Sequence, residues 1–370
     1  MKQKIMYSVA GEGFGHAAKA LAVKELLKDE FDIIFLGGGK AFEFLTQAGE
    51  DVIEIPSLRL MYKNDAVSIL KTTLYNLPLA VRRSKILDDV SRHIVRIDPA
   101  CVISDFEYFV PRAAARHYIP TVQLSHQMIL LAGKFELPAR VWANYLNTRL
   151  ISRLIIPRST YSMAISFFRP PIRRAYRTSR FNVCLPVLRK EILNARPSAG
   201  DSILVYSSCE TYKWILDVLV QFTHQHFIVY GIEPQEGRRY ENIIFKKICP
   251  AEFVHDLAAV KAVISNGGHT LISEALYLKK PVFSMYVKKQ FEQLLNALHI
   301  ESLGYGARLY DESNLYNELY AFFQNIPAYA DTLNAISLCG NHEIKTLLHD
   351  IVYHAVSQSS GSFIPAVVMG

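Results

Sequence analysis

The chain of 370 residues has only five cysteines, Cys101, Cys184, Cys209, Cys249 and Cys339, and no two of them form a C-x-x-C pair. That argues against a cysteine-held metal or a disulfide framework and fits a reducing, cytoplasmic setting in which thiols act as small hydrophobes. No apolar run approaches the ~18–20 residues that a bilayer-spanning helix needs. The apolar stretch Ile5–Ala10, behind Lys2 and Lys4, is too short for a signal peptide and runs into glycines, so it reads as a first strand. Low-complexity tracts are missing, half of the residues are hydrophobic and a fifth are charged, which excludes disordered, collagen-like and coiled-coil classes. Acidic residues are missing from one long stretch. Between Leu137 and Lys190 there is no Asp or Glu, while ten arginines and Lys190 give it a charge of +11. The whole chain carries +7, so the remaining residues are net −4 and the basicity belongs to one segment.

What is present is alternation. Apolar strand-like runs at 4–10, 32–36, 51–55, 99–104 and 121–124 are separated by helical spacing at 16–28, 41–48, 67–97 and 110–117. Helical spacing at 138–156 and a strand at 161–167 follow, and then the texture changes at Pro170, Pro171, Pro186 and Pro197. A second alternation begins at Ser202 and runs to a helix over 290–303 that Gly304 ends. At ~150 residues per domain the length sets two domains. The pattern predicts an α/β protein of two Rossmann-like, doubly wound domains facing across a cleft. The expected bounds are 1–185, a linker over 186–200, a second domain over 201–350 and a tail over 351–370. Open α/β sheets bind ligands at the carboxyl ends of their strands, so the cleft is the expected site.

Three stretches can carry chemistry. The first is Gly11-Glu12-Gly13-Phe14-Gly15-His16, between the first strand and the first helix. A dinucleotide fingerprint needs glycine where His16 stands, and the second strand ends in Gly37-Gly38-Gly39 in place of a ribose-binding acid. Lys40-Ala41 behind those glycines lacks the Ser or Thr of a phosphate loop. What remains is an imidazole at a helix start, where the helix dipole disfavours imidazolium and so favours a general base. The second is Ser265-Asn266-Gly267-Gly268-His269-Thr270, a strand end, two glycines and a helix start, which together suit a diphosphate. Glu274 lies one helical turn beyond Thr270, on the same face. The third holds Gln290, Glu292 and Gln293, with Asn296, Glu301 and Gly304 behind them, where amides and a carboxylate suit sugar hydroxyls.

In this order the three stretches resemble the GT-B glycosyltransferases, and most closely the branch of the peptidoglycan UDP-N-acetylglucosamine transferase and its relatives with a Gly-Glu-Gly-Phe-Gly-His loop. The resemblance implies an inverting transferase that moves a sugar from a nucleotide donor to an acceptor hydroxyl. It assigns His16 as base with Asp105 to orient it, and Gly13, Phe14 and Gly15 as an acceptor loop. Arg189, Ser207 with Ser208, Gly267, Gly268, His269 and Thr270 would meet the donor diphosphate, Glu274 the ribose, and Gln290, Glu292 and Gln293 the sugar. It implies no cofactor and no metal. Its partners would be the nucleotide sugar and a glycan or lipid-linked acceptor.

The basic segment leaves alternatives open. Arg140, Arg149 and Arg153 alternate with Trp142, Tyr145, Leu146, Leu150 and Leu154 on the expected helix. Its apolar face either packs on the core or lies on an anionic membrane surface through residues 138–180, on the inner face of the cell membrane. Interleaved aromatics there also allow a nucleic-acid groove, disfavoured because the rest of the chain is acidic and no known module is present. A nucleotide-sugar 2-epimerase of the same fold is the remaining rival.

Overall fold

Short runs, most of them rich in β-branched and aromatic residues, build two parallel sheets in the computed structural model. It describes residues 2–59, 61–63, 66–67, 69–207, 210–288 and 290–359. The first sheet is formed by β1 (Gln3–Val9), β2 (Phe31–Gly37), β3 (Val52–Glu54), β6 (Cys101–Asp105), β7 (Thr121–Ser125), β8 (Tyr161–Ile165) and β9 (Phe181–Cys184). Its order is β3-β2-β1-β6-β7-β8-β9, and a two-stranded ribbon, β4 (Tyr62–Lys63) and β5 (Ala66–Val67), stands apart. The helices of this half are α1 (Phe14–Leu27), α2 (Gly39–Gln47), α3 (Ile69–Val81), α4 (Arg83–Ile97), α5 (Val110–Arg116), α6 (Met128–Ala132) and α7 (Trp142–Ile155).

The second sheet takes β10 (Ser202–Tyr206), β11 (His226–Tyr230), β12 (Ile243–Lys246), β13 (Ala262–Ser265), β14 (Val282–Ser284) and β15 (Gly306–Arg308), in the order β12-β11-β10-β13-β14-β15. Helix α8 (Lys190–Asn194) lies between the sheets in sequence. The others are α9 (Ile215–Leu219), α10 (Pro250–Ala259), α11 (His269–Tyr277), α12 (Phe291–Ser302), α13 (Leu315–Asn334) and α14 (Asn341–Ser359). The expected doubly wound architecture is therefore present twice. In each sheet the strand order reverses beside the first strand, and register makes the edges level there: Val9 lies opposite Asp105, and Tyr206 opposite Ser265. These are the two switch points.

The expected boundary at residue 350 falls inside α14. This helix shows apolar residues at Ile344, Leu348, Ile351 and Val352, and they are buried with Ile5, Val23 and Phe31 in the core of the first domain. The chain therefore crosses between domains twice. The crossings lie side by side, because the Asn341 side chain mimics a backbone: its Oδ1 accepts from the Leu188 N–H and its Nδ2 donates to the Leu188 carbonyl, both at 2.8 Å. A second apolar cluster spans the domains, packing Leu130, Tyr145, Phe167 and Phe168 with Ile272, Phe291 and Leu295. Asn341→Ala leaves a buried N–H and carbonyl without partners, and is expected to cost about 1–3 kcal/mol in denaturant unfolding. A loss below about 0.5 kcal/mol would remove the clamp from the account.

Candidate active site

The first switch point carries the Gly-Glu-Gly-Phe-Gly-His loop. Gly13 caps α1 at φ +73°, a conformation that side chains rarely adopt. His16, the third residue of α1, brings its Nδ1 within 2.9 Å of Asp105 Oδ2 at the end of β6, though off the line of a straight hydrogen bond. Its side chain is 19% exposed and that of Asp105 is fully buried. Lys19, one turn further along α1, places Nζ 2.9 and 3.0 Å from the two carboxylate oxygens. Burial pushes the Asp105 carboxyl up, but its contacts with His16 and Lys19 outweigh that and hold the carboxyl below its ordinary value. The residue after it, Phe106, is held at φ +54°, a strained left-handed conformation for a bulky residue beside a site. Glu107 holds that bend by accepting from the N–H groups of Phe109 and Val110, both at 2.7 Å. Burial raises its carboxyl to about 7, against those hydrogen bonds. Its oxygens thus cap the start of α5 and do not converge with Asp105.

The second switch point carries the other glycine pair. Gly268 caps α11 without a side-chain cap, so the first N–H groups of the helix lack partners within it. A Cβ at Gly268 would meet nothing within 4 Å, so the chain is open on that side of the helix start. Thr270 reaches across the cleft and donates from Oγ1 to the Gly15 carbonyl at 3.2 Å. Any Cβ at Gly15 would lie 2.9 Å from that hydroxyl oxygen, so the loop glycine serves the approach of the domains. The first turns of α1 and α11 therefore meet.

Glu274 and Arg189, matched to ribose and diphosphate, hold one another: Nε and Nη2 of Arg189 donate to Oε1 and Oε2 of Glu274 at 2.7 and 2.9 Å. Burial depresses the guanidinium, and the carboxylate more than restores it. Gln290 stands half-buried at the start of α12. Glu292 accepts from Gln127 of the first domain at 2.9 Å, and Gln293 Oε1 accepts from the Val287 N–H, which fixes the loop before α12. Ser207 is buried at the end of β10 with its N–H donated to the Tyr230 carbonyl, and Ser208 lies outside the described residues. The space between these loops is narrow. A cavity of about 10 Å³, room for one water, is lined by Tyr206, Ser207, Ser265 and Asn266. A wider one of about 410 Å³ lies between β3 and α4, away from both switch points. The switch points, and not the wider cavity, carry the glycine loops and the buried charged groups.

Sequence reading missed Lys19 and, among the residues that hold the cleft shut, His126, Phe168 and His299. The ring of His126, just past β7, stacks on His269 with centroids 3.9 Å apart, and its Nε2 lies 2.9 Å from Asn296 Oδ1. Phe168 stacks on His299 at 3.7 Å. The strand-end position of His126 was a usable signal; its partner, 170 residues away, was not.

Two doubly wound domains with facing carboxyl edges and a glycine-capped helix at the second switch point are the GT-B glycosyltransferase architecture. The chain belongs to glycosyl transferase family 1, whose model matches residues 3–327. It is 27% identical over 335 residues to an uncharacterized glycosyltransferase of Methanosarcina acetivorans, with 83% of each chain covered. Over 173 residues it is 25% identical to the UDP-N-acetylglucosamine--N-acetylmuramyl-(pentapeptide) pyrophosphoryl-undecaprenol N-acetylglucosamine transferase 3 of Bacillus cereus, covering 40% of this chain and 47% of that one. The solved structure of the glycotransferase of kitacinnamycin superposes with a TM-score of 0.65 at 15% identity, over 94% of this chain and 99% of the other.

The stacked histidines make the closed form sensitive to pH. Burial lowers both rings; at His269 the charges of His126, Lys19 and His16 lower it further, while at His126 Glu292 acts in the opposite direction. A group whose folded-state pKa is depressed below 6.5 contributes stability that is present above that pH and is lost as the pH falls below it. The melting temperature is expected to drop as pH goes from 7 towards 5, and His269→Phe, which keeps the stack without a titrating ring, should shrink the drop. An unchanged pH slope in that variant would show that the pair is not its source.

Proposed function

We propose that the protein transfers a sugar, with inversion, from a nucleoside diphosphate donor to an acceptor hydroxyl on a glycan or a lipid. The bacterial relative's name and the motif resemblance favour UDP as the nucleotide. The observation that carries this reading is the meeting of the two helix starts, with Thr270 on Gly15, which brings an imidazole–carboxylate pair beside a helix N-terminus without a side-chain cap. The N–H groups at Gly268–Thr270 suit a diphosphate, and the open side of Gly268 admits it. On this reading, donor binding exchanges partners: Arg189 passes from Glu274 to the diphosphate, and Glu274 passes from Arg189 to the ribose diol. Neither buried charge is then left alone at any stage. Gln290 and Glu292 face the sugar, with Gln293 holding their loop.

The reaction is a direct displacement. The acceptor oxygen bonds to the anomeric carbon as the bond from that carbon to the diphosphate oxygen breaks, and the acceptor proton goes to His16 Nε2. Asp105 stabilises the imidazolium that forms. The departing diphosphate meets the helix N-terminus and Arg189, fixed positive groups aimed at the charge that develops. No metal takes part in these steps. His16→Ala is expected to lower turnover by ~10²-fold or more while nucleotide affinity measured by calorimetry stays unchanged. Full transfer activity in that variant would end the base assignment.

An anionic membrane is the proposed setting of a lipid-linked acceptor. Helix α7 buries Tyr145 and Ser152, and its other face exposes Trp142, Leu146, Leu150 and Leu154, at 41, 53, 58 and 61%. Helix α3 exposes a second stripe of Leu70, Leu74, Leu77 and Val81. The stripes are tied together: Arg83 donates to the Tyr108 hydroxyl, and Arg112, stacked on that ring, donates to the Leu154 and Ile155 carbonyls at the end of α7. Residues 66–87, like 137–190, contain no acid. Apolar side chains amid basic ones suit an anionic bilayer surface, although no helix among the described residues is long and apolar enough to cross one. Wild type is expected to sediment with phosphatidylglycerol-containing liposomes in a salt-sensitive way, and Leu146→Glu with Leu150→Glu to stay in solution. Failure of the wild type to sediment would remove the membrane from the reading.

A further inference from the structure

Lys19 is a buried cation that the reaction as drawn does not use. Helix α1 sets it three residues after His16, on the same face. Its side chain is 6% exposed and its ammonium touches both oxygens of Asp105, which is fully buried. A carboxylate taken out of water needs a compensating positive charge. Two groups touch Asp105 and can supply it, the imidazole of His16 and the ammonium of Lys19. If His16 supplied it, the ring would rest as imidazolium and could accept no proton. The Lys19 ammonium on the same carboxylate removes that demand. We propose that Lys19 is a positioning residue that keeps His16 free of a proton at rest, by balancing Asp105 with a charge of its own. This rests on the reading of His16 as the base.

The surroundings leave this balance to the three groups. Tyr7 of β1, whose hydroxyl is held well above its ordinary value by burial and by Asp105, stays neutral. His126 beyond β7 and His269 of α11 both feel Lys19 and are held neutral by burial. On this proposal the trio of Lys19, Asp105 and His16 has no net charge before reaction. It carries one positive charge after His16 takes the acceptor proton, when the departing diphosphate has gained negative charge across the cleft. Asp105 serves both states, as partner of Lys19 throughout and of the imidazolium after transfer.

The test is the titration of His16 in the ligand-free protein, followed by NMR of ¹³C-labelled histidine, with the resonance assigned by loss in His16→Gln. In Lys19→Met the His16 midpoint is expected to rise by about 1 pH unit or more as the ring takes over the task of balancing Asp105. In Lys19→Arg it should stay within a few tenths. The acid limb of kcat/KM should move up with the midpoint in Lys19→Met, which mere loss of packing would not produce. An unmoved midpoint in folded Lys19→Met would overturn the proposal. Should that variant not fold, Asp105→Asn is compared with the double variant Lys19→Met, Asp105→Asn. The double is expected to titrate higher, and equal midpoints would overturn the proposal. Because the titration needs no substrate, it separates the two ideas: transfer without His16 defeats the base reading, whereas a static midpoint defeats only the role of Lys19.

Discussion

At the floor of the cleft the imidazole of His126, carried by the first domain, lies flat on that of His269, carried by the second, and Asn296 holds the first ring while donating to the Gly267 carbonyl. The rest of the site depends on this contact. It fixes the glycine pair of α11 against the first domain and brings Thr270 onto Gly15. The contact is made of neutral rings and amides packed in an apolar cluster that belongs to both domains. Such a surface is held by burial and shape, and it opens when its rings gain protons or when a ligand offers better partners. The paired crossings at Leu188 and Asn341 give the domains a common pivot beside it.

Charges in the site come in sets that balance. Asp105 has Lys19 and His16; Glu274 has Arg189. The carboxylate of each set is buried and lies on a different element from its cationic partners, so folding and domain closure bring the partners together. A ligand that takes one member must satisfy the other. A nucleoside diphosphate meets that condition for Arg189 and Glu274, because it carries an anion and a diol a few ångströms apart. The strain at Phe106 and the cap at Glu107 serve the first set, holding Asp105 at a fixed bend.

Much of this could be read from the sequence where a local pattern decides the structure. The strand–glycine–helix junctions at 9–16 and 265–270 fold as spacing predicts, because a tight turn and a helix start need those residues wherever they stand. The short strands β9 and β15 escaped notice; four and three residues carry no periodicity. The face of α14 that returns to the first sheet falls where the expected second domain gave way to a tail at 350. Lys19 has no local signal of its role, which depends on β6 bringing Asp105 beside it, and Arg189 finds Glu274 across 85 residues of chain. Pairings between distant elements depend on topology, and spacing alone does not encode it.

The claim on which the functional account stands is that a diphosphate docks on the uncapped start of α11. Gly268 isolates it, since a side chain there meets nothing in the ligand-free protein but would stand where the phosphate must come. The direct measurement is the melting temperature of wild type and Gly268→Val with UDP, GDP, dTDP and CDP and their sugar conjugates. At least one nucleotide is expected to stabilise the wild type by mass action, while Gly268→Val, melting as the wild type does without ligand, gains nothing. Stabilisation of neither protein, or equal stabilisation of both, would contradict a phosphate site at this helix.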